Sequence, residues 1–192
     1  LLGSYTRNNP MSESEISTVF DYFREGGASA VGEDAYQGAG NFIHKWRNAE
    51  WITEFPLIDT SNGTSFYGTW RNCTNLARFP LIDTSNATDL TLAWYQCLSL
   101  SSFPLLDTSK VTTFTQAWNG CGNLSSFPAL NTSVATTFVN TWQNCASLSS
   151  FPLIDSGNVT NFAQAWPGCA SLSSFPLIDT SQGTNFFGTW GG

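Results

Sequence analysis

The chain has 192 residues, seven Lys and Arg against fourteen Asp and Glu, and a net charge of −7. That length suits one ordinary domain. The basic footprint of a nucleic-acid binder and a polybasic membrane patch are both missing, and no apolar run reaches the roughly 20 residues a membrane helix needs.

Charge is scarce as well as unbalanced. No Lys or Arg follows Lys110, and beyond it only Asp155 and Asp179 are acidic. Ser, Thr, Asn, Gln and Gly must therefore form the surface. Disorder is rejected because apolar residues recur at fixed places, which disordered chains lack. The start at Leu-Leu-Gly, without an initiator Met, reads as a processed product or a fragment.

Residues 1–41 do not repeat. Within them the segment of about 12–25 reads as an amphipathic helix. Ile16, Phe20 and Phe23 share a face, acids occupy the first turn, and Gly26-Gly27 ends it. A solenoid needs a cap over its first coil, and this helix is expected to supply it. A tether to a larger fibre is the competing reading.

From residue 42 onward the chain repeats. Phe42 and Trp46 open a degenerate coil over 42–54. Six copies of 24 residues then start at 55, 79, 103, 127, 151 and 175, the last incomplete. Each has Phe-Pro at its start and a Trp at a fixed offset: Trp70, Trp94, Trp118, Trp142, Trp166 and Trp190. Cys73, Cys97, Cys121, Cys145 and Cys169 follow the first five. A fixed period of this size signals a solenoid whose coils bury their apolar sides on one another.

The copy from Phe151 to Ser174 illustrates the unit. Phe162, Trp166 and Cys169 stand at i, i+4 and i+7, one face of a helix. The spacing predicts a short helix or 3₁₀ turn ending near Trp166, because Pro167 and Gly168 follow. Thr160, present at the same place in every copy, is expected to cap its first turn. Leu148-Ser-Ser-Phe151-Pro-Leu153 matches the L-x-x-L-x-L strand of leucine-rich repeats. Leu148, Phe151 and Leu153 are expected to point inward and Pro152 outward, in a strand of two to four residues. The fold class is an α/β repeat solenoid, with leucine-rich-repeat-like coils of one very short parallel strand and one short helix or 3₁₀ turn.

At T-x-F-x-x-x-W-x-x-C and C-x-x-L-x-x-F-P-L the chain resembles the BspA-like class of leucine-rich repeats. The likeness covers residues 42–192, although Trp stands here where that family more often has Phe. Its members are bacterial surface proteins, and similar repeats occur in tail fibres of marine phages. The resemblance implies adhesion or host-surface recognition and names no ligand.

Each file of recurring residues has a bland and a sharp reading. The tryptophans would make sugar platforms if exposed, but their phase with Phe162 and Leu172 places them in a buried stack. Each indole N–H is then expected to find an acceptor in the next coil. The cysteines lack the paired spacing of zinc sites and are odd in number, so they read as free buried thiols. Asp59, Asp83, Asp107, Asp155 and Asp179 form a file in which Asn131 takes the fourth place. That substitution favours Asx turns over a calcium site, the sharper alternative. Six Asn-x-Ser/Thr triplets, at Asn62, Asn72, Asn86, Asn123, Asn131 and Asn158, read as products of composition.

No catalytic constellation appears, since His44 is the one histidine. The chain reads as a non-enzymatic, extracellular binding module on a virion or cell surface, without cofactor. Its partner would be a host-surface receptor or glycan. The most variable positions flank the aromatics: Tyr67, Arg71, Asp89, Tyr95, Gln116, Asn119, Asn140, Gln143, Gln164 and Phe187. They are the candidate ligand-binding residues, expected on the exposed side of a helical stack. The alternative is a structural spacer or fibre unit that self-associates through its uncapped C-terminal coil.

Overall fold

The computed structural model describes residues 42–191; the expected capping helix over 12–25 lies outside them. Backbone hydrogen bonds recur one repeat apart. The Thr88 N–H donates to the Thr64 carbonyl, and Thr112, Thr136, Thr160 and Thr184 repeat the bond at 2.8–3.0 Å. The N–H groups of Ser125, Ser149 and Ser173 do the same to Ser101, Ser125 and Ser149. Parallel bridges link Ser65, Asp89, Thr113, Thr137, Asn161 and Asn185 in succession. The chain thus winds as stacked coils: a leading partial turn (42–54), then coils 1 to 6, starting at 55, 79, 103, 127, 151 and 175.

The strand component is shorter than expected, because only isolated bridges form among the described residues. The expected helix is absent from them altogether. A run of overlapping β-turns replaces it. In coil 1, Thr69, Arg71 and Cys73 donate N–H bonds three residues back, to Phe66, Gly68 and Trp70. The alternate N–H groups of Phe66, Gly68, Trp70 and Asn72 instead cross to carbonyls of coil 2, at 2.7–2.9 Å. Turning every second amide outward requires left-handed residues. Gly68 and Asn72 supply them, with φ of 58° and 61°, at the third position of alternate turns. Type II turns demand positive φ there. A helix would spend all these amides within its own segment, whereas the turn run uses half to bind the next coil.

Two columns carry this conformation through the stack. One reads His44, Gly68, Leu92, Gln116, Asn140, Gln164, Gly188, and the other Asn48, Asn72, Gln96, Gly120, Asn144, Gly168. The threonine expected as a helix cap has a different task. The Thr88, Thr112, Thr136, Thr160 and Thr184 hydroxyls donate to the carbonyl of the same threonine in the preceding coil.

Aromatic ladders fill the core. Successive tryptophans from Trp70 to Trp166 stack with centroids 5.3–5.9 Å apart and nearly parallel planes. A second file, Phe55 to Phe175, stacks at 5.3–6.0 Å. The two files meet edge to face, as Phe103 does with Trp94 and Trp118 at 4.7 and 5.0 Å. This is the offset and T-shaped packing aromatic quadrupoles favour.

One expectation about the strand is reversed. Leu148 and Phe151 are buried, but Leu153 is 65% exposed and Ile154 points inward in its place. Coils 2 to 4 reveal why. Ile82, Leu106 and Leu130 donate to the carbonyls of Pro80, Pro104 and Pro128, two residues back. That tight turn throws the residue after proline outward and breaks the alternation a strand would impose.

Two substitutions test this construction. Trp118→Ala, inside the ladder, should cost about 3–5 kcal/mol in denaturant unfolding, and Trp190→Ala at the open end much less. Gly120 has a φ of +77°, and a β-carbon there would meet the Gln96 amide nitrogen at 2.1 Å. Gly120→Ala should therefore lose about 1–2 kcal/mol, while Gly122→Ala, where nothing lies within 4 Å, should unfold like the parent.

Candidate functional site

Many side chains that look like a polar display are engaged in stacking the coils. The Thr60, Thr84, Thr108 and Ser156 hydroxyls donate to carbonyls of the following coil at 2.6 Å. Thr132 donates likewise to Asp155. Each member of the aspartate file closes an Asx turn inside its own coil. Asp59 accepts both the N–H and the hydroxyl of Ser61. Asn131 does the same with Ser133, so the amide substitutes without loss. The Ser61 N–H, reinforced by its hydroxyl, holds the Asp59 carboxyl below the usual carboxylate range. Among the described residues no three His, Cys, Asp or Glu side chains come together as a metal-holding group.

The cysteines are free. Each thiol points at the backbone carbonyl of the tryptophan one coil earlier, at 3.1–3.2 Å. Burial pushes the Cys73 and Cys121 thiols up to about 12 and the partly covered Cys169 to about 11. Such thiols are poor nucleophiles. The indole nitrogens depart from expectation: those of Trp70, Trp94, Trp118, Trp142 and Trp166 are buried without an acceptor. The rings are stacked face to face, and the tryptophan carbonyls accept from the thiols and the turn amides. His44 lies edge-on to Tyr67 at 5.0 Å, with its Nδ1 buried and unpartnered over Gly68.

All the candidate ligand-binding residues except Asp89 fall within the turn run, in three columns, those of Tyr67, Gly68 and Arg71. Asp89 stands just before it and closes a turn by accepting the Thr91 N–H at 2.8 Å. Ser65, Thr113, Thr137, Asn161 and Asn185 share that column, and each accepts the N–H two residues on. Asp89 is thus a local backbone partner. Asn119 is buried rather than exposed, because its amide is folded under Gln143. Phe187 is well exposed, and the others are half-buried.

Two groupings emerge. The Arg71 guanidinium lies over the Tyr95 ring at 5.0 Å. Asn119, Asn140, Gln143 and Gln164 form an amide cluster across coils 3 to 5. The Gln143 Oε1 accepts from Asn119 and Asn140 at 2.8 and 2.6 Å, and Asn140 also donates to the Gln164 Oε1 at 3.1 Å. Other donors and acceptors of these amides remain for a ligand. Sequence reasoning points to the four residues by variability and misses their mutual bonding: the 24-residue offset joins Asn119 to Gln143 and Asn140 to Gln164, and Asn140 reaches Gln143 within one turn run.

Comparison of the chain with known protein families, with curated proteins and with solved structures returns no match.

The buried thiols give a testable pH dependence. Their folded-state values lie above the ordinary value of about 8.5, so the protonated form is bound more tightly in the fold. That stabilisation is complete below about pH 8.5 and lost as pH rises toward the values near 11 and 12. Each thiol should remove about 1.4 kcal/mol per pH unit across that window. Urea titrations from pH 8 to 11 should register the fall, and Cys121→Ala should make it shallower. Iodoacetamide should label Cys169 first.

Proposed function

We propose that the chain is a non-enzymatic binding module, a leucine-rich-repeat-like stack of the BspA type. In this reading it acts outside the cell, on a virion or cell surface, and recognises a host receptor or glycan. The observation that carries the reading is the amide cluster of Asn119, Asn140, Gln143 and Gln164 on the turn side. Amides fixed by one another present donors and acceptors at little entropic cost, which suits recognition of hydroxyl-rich ligands. The Arg71–Tyr95 pair extends the same side toward the N-terminal coils. Nothing in the thiols or in the environment of His44 offers an activated nucleophile or a paired base.

The test is binding of fluorescently labelled chain to a panel of intact bacterial and algal cells, with and without calcium. The expected result is saturable, calcium-independent binding to a narrow subset. Asn140→Gly combined with Gln164→Gly, which keep the left-handed backbone at both positions, should weaken it about tenfold or more, corresponding to about 1.4 kcal/mol, with little change in melting temperature. A calcium requirement would return attention to the aspartate file. Absence of binding across the panel would favour the spacer reading, which draws on the many hydroxyls committed to coil–coil bonds.

A further inference from the structure

The turn side carries a charge distribution unlike that of the whole chain. The net charge is −7, yet the columns of Tyr67, Gly68 and Arg71 hold no Asp or Glu between residues 43 and 191. They hold two cations, Arg47 and Arg71, one repeat apart. Other described cations are engaged. Arg78 pairs with Glu54 at 3.0 Å, the Lys110 ammonium donates to the Asn86 side chain at 2.8 Å, and Lys45 lies over the Phe42 and Trp46 rings. Neither Arg47 nor Arg71 is ion-paired, to Glu50 or to any other described carboxylate. Asp89, just before the run, is occupied by the Thr91 N–H and the Ser65 hydroxyl.

Arg71 is held in place without being neutralised. Its guanidinium lies over the Tyr95 ring at 5.0 Å, and its Nε is buried without an acceptor. No hydrogen bond among the described residues engages its terminal nitrogens. A neutral ring orders the planar fork but leaves its charge uncancelled. The column that begins at these arginines is continuous. The Asn48, Asn72, Gln96 and Gly120 amides donate to the carbonyls of Arg71, Tyr95, Asn119 and Gln143 at 2.7–2.8 Å. Arg47, Arg71, Tyr95, Asn119 and Gln143 therefore stand in successive coils. Two guanidinium groups, one aromatic ring and the amide cluster follow one another at about 4.8 Å per step.

We propose that the glycan recognised on the turn side is acidic: a carboxylate or sulfate group carried on a sugar seats on the Arg47 and Arg71 guanidinium groups, and hydroxyls of the sugars beyond it reach the amides of Gln143 and Asn140. This rests on the recognition reading above and adds the ligand class to it. Guanidinium suits either oxyanion, because its planar fork donates two parallel N–H bonds to a pair of oxygens. A fork already ordered by Tyr95 loses less freedom when the anion arrives. The net negative charge of the chain does not forbid the approach. At physiological ionic strength exposed charges are largely screened beyond about 8 Å, and the aspartate file lies half a repeat from the arginines, as Asp59 does from Arg71.

Calorimetric titration of the full chain with dextran, dextran sulfate and oligogalacturonate provides the test. At least one acidic probe should bind about tenfold or more tighter than dextran, and which one does so separates sulfate from carboxylate. Raising the salt from 0.05 to about 0.5 M should erode that preference in the parent chain, a readout that needs no variant. Arg47→Gln combined with Arg71→Gln should abolish the preference; Gln143 stands in the same column, so the fold accepts glutamine there. Arg78→Gln combined with Lys110→Gln should leave it unchanged, which excludes attraction of a polyanion to any surface cation. Equal affinity for neutral and acidic probes, or equal losses in the two double variants, would overturn the proposal. On intact cells, binding that survives the arginine changes but is lost in Asn140→Gly with Gln164→Gly would overturn it while sustaining the recognition reading. Absence of cell binding by the parent would count against the recognition reading, and the probe titrations would still decide the anion site.

Discussion

The structure depends on how its backbone amides are divided along the turn run. Half close turns within the coil and half reach the next coil at 2.7–3.2 Å. This division fixes the 24-residue register, since adding or removing one residue would exchange the inward and outward sets. It also explains the shortness of the strands. Elsewhere around the coil a single amide–carbonyl bond per line suffices, because the turn run already zips neighbouring coils together.

The arrangement has two energetic costs. Nine non-glycine residues among the described ones adopt positive φ, at about 1–2 kcal/mol each, less for asparagine. Five buried indole N–H groups lack acceptors, at about 1–3 kcal/mol each. Against these stands aromatic burial. A tryptophan hides roughly 150–250 Å², about 4–6 kcal/mol at the usual coefficient, and ring pairs add about 0.5–1.5 kcal/mol. Ring stacking therefore outweighs the orphaned N–H, and the tryptophans hold their orientation at the expense of a hydrogen bond. Small-to-medium residues at left-handed positions are tolerated on the same terms.

Some of this was legible in the sequence and some was not. The period, the burial of Trp and Phe, and the Asx turns follow from residue types at fixed offsets. The helix did not materialise because spacing of four and three places Phe162, Trp166 and Cys169 on one side of a turn run as well as of a helix. The discriminating signal was the recurrence of Gly and Asn in the two left-handed columns, at Gly68, Asn72, Gly120, Asn140, Asn144, Gly168 and Gly188. These are the residues that accept positive φ most readily. Strand alternation carried across the proline puts Leu153 inside, whereas Ile154 is the buried residue; in coils 2 to 4 a tight turn at the proline resets the alternation. Of the candidate site, variability points to each residue of the amide cluster, but it also points to Asp89, a turn-closing group. Its column of Ser, Thr, Asp and Asn marks a turn-closing oxygen.

A surface composed of Ser, Thr and Asn looks uniformly sticky, yet its groups are not equally available. The threonines after aspartate and those of the Thr64 column give their hydroxyls to neighbouring coils. The aspartates give Oδ1 to their own turns. A ligand competing for these groups would have to displace bonds that hold the stack. Asn140 and Gln164 are different, because their carboxamides bond mainly to one another and to Gln143, outside the backbone ladder. Substitution there by a residue that accepts their positive φ alters the surface without breaking a coil–coil backbone bond. That freedom makes the turn side the region where the repeat can vary, and selective recognition requires a surface that can vary while the fold does not.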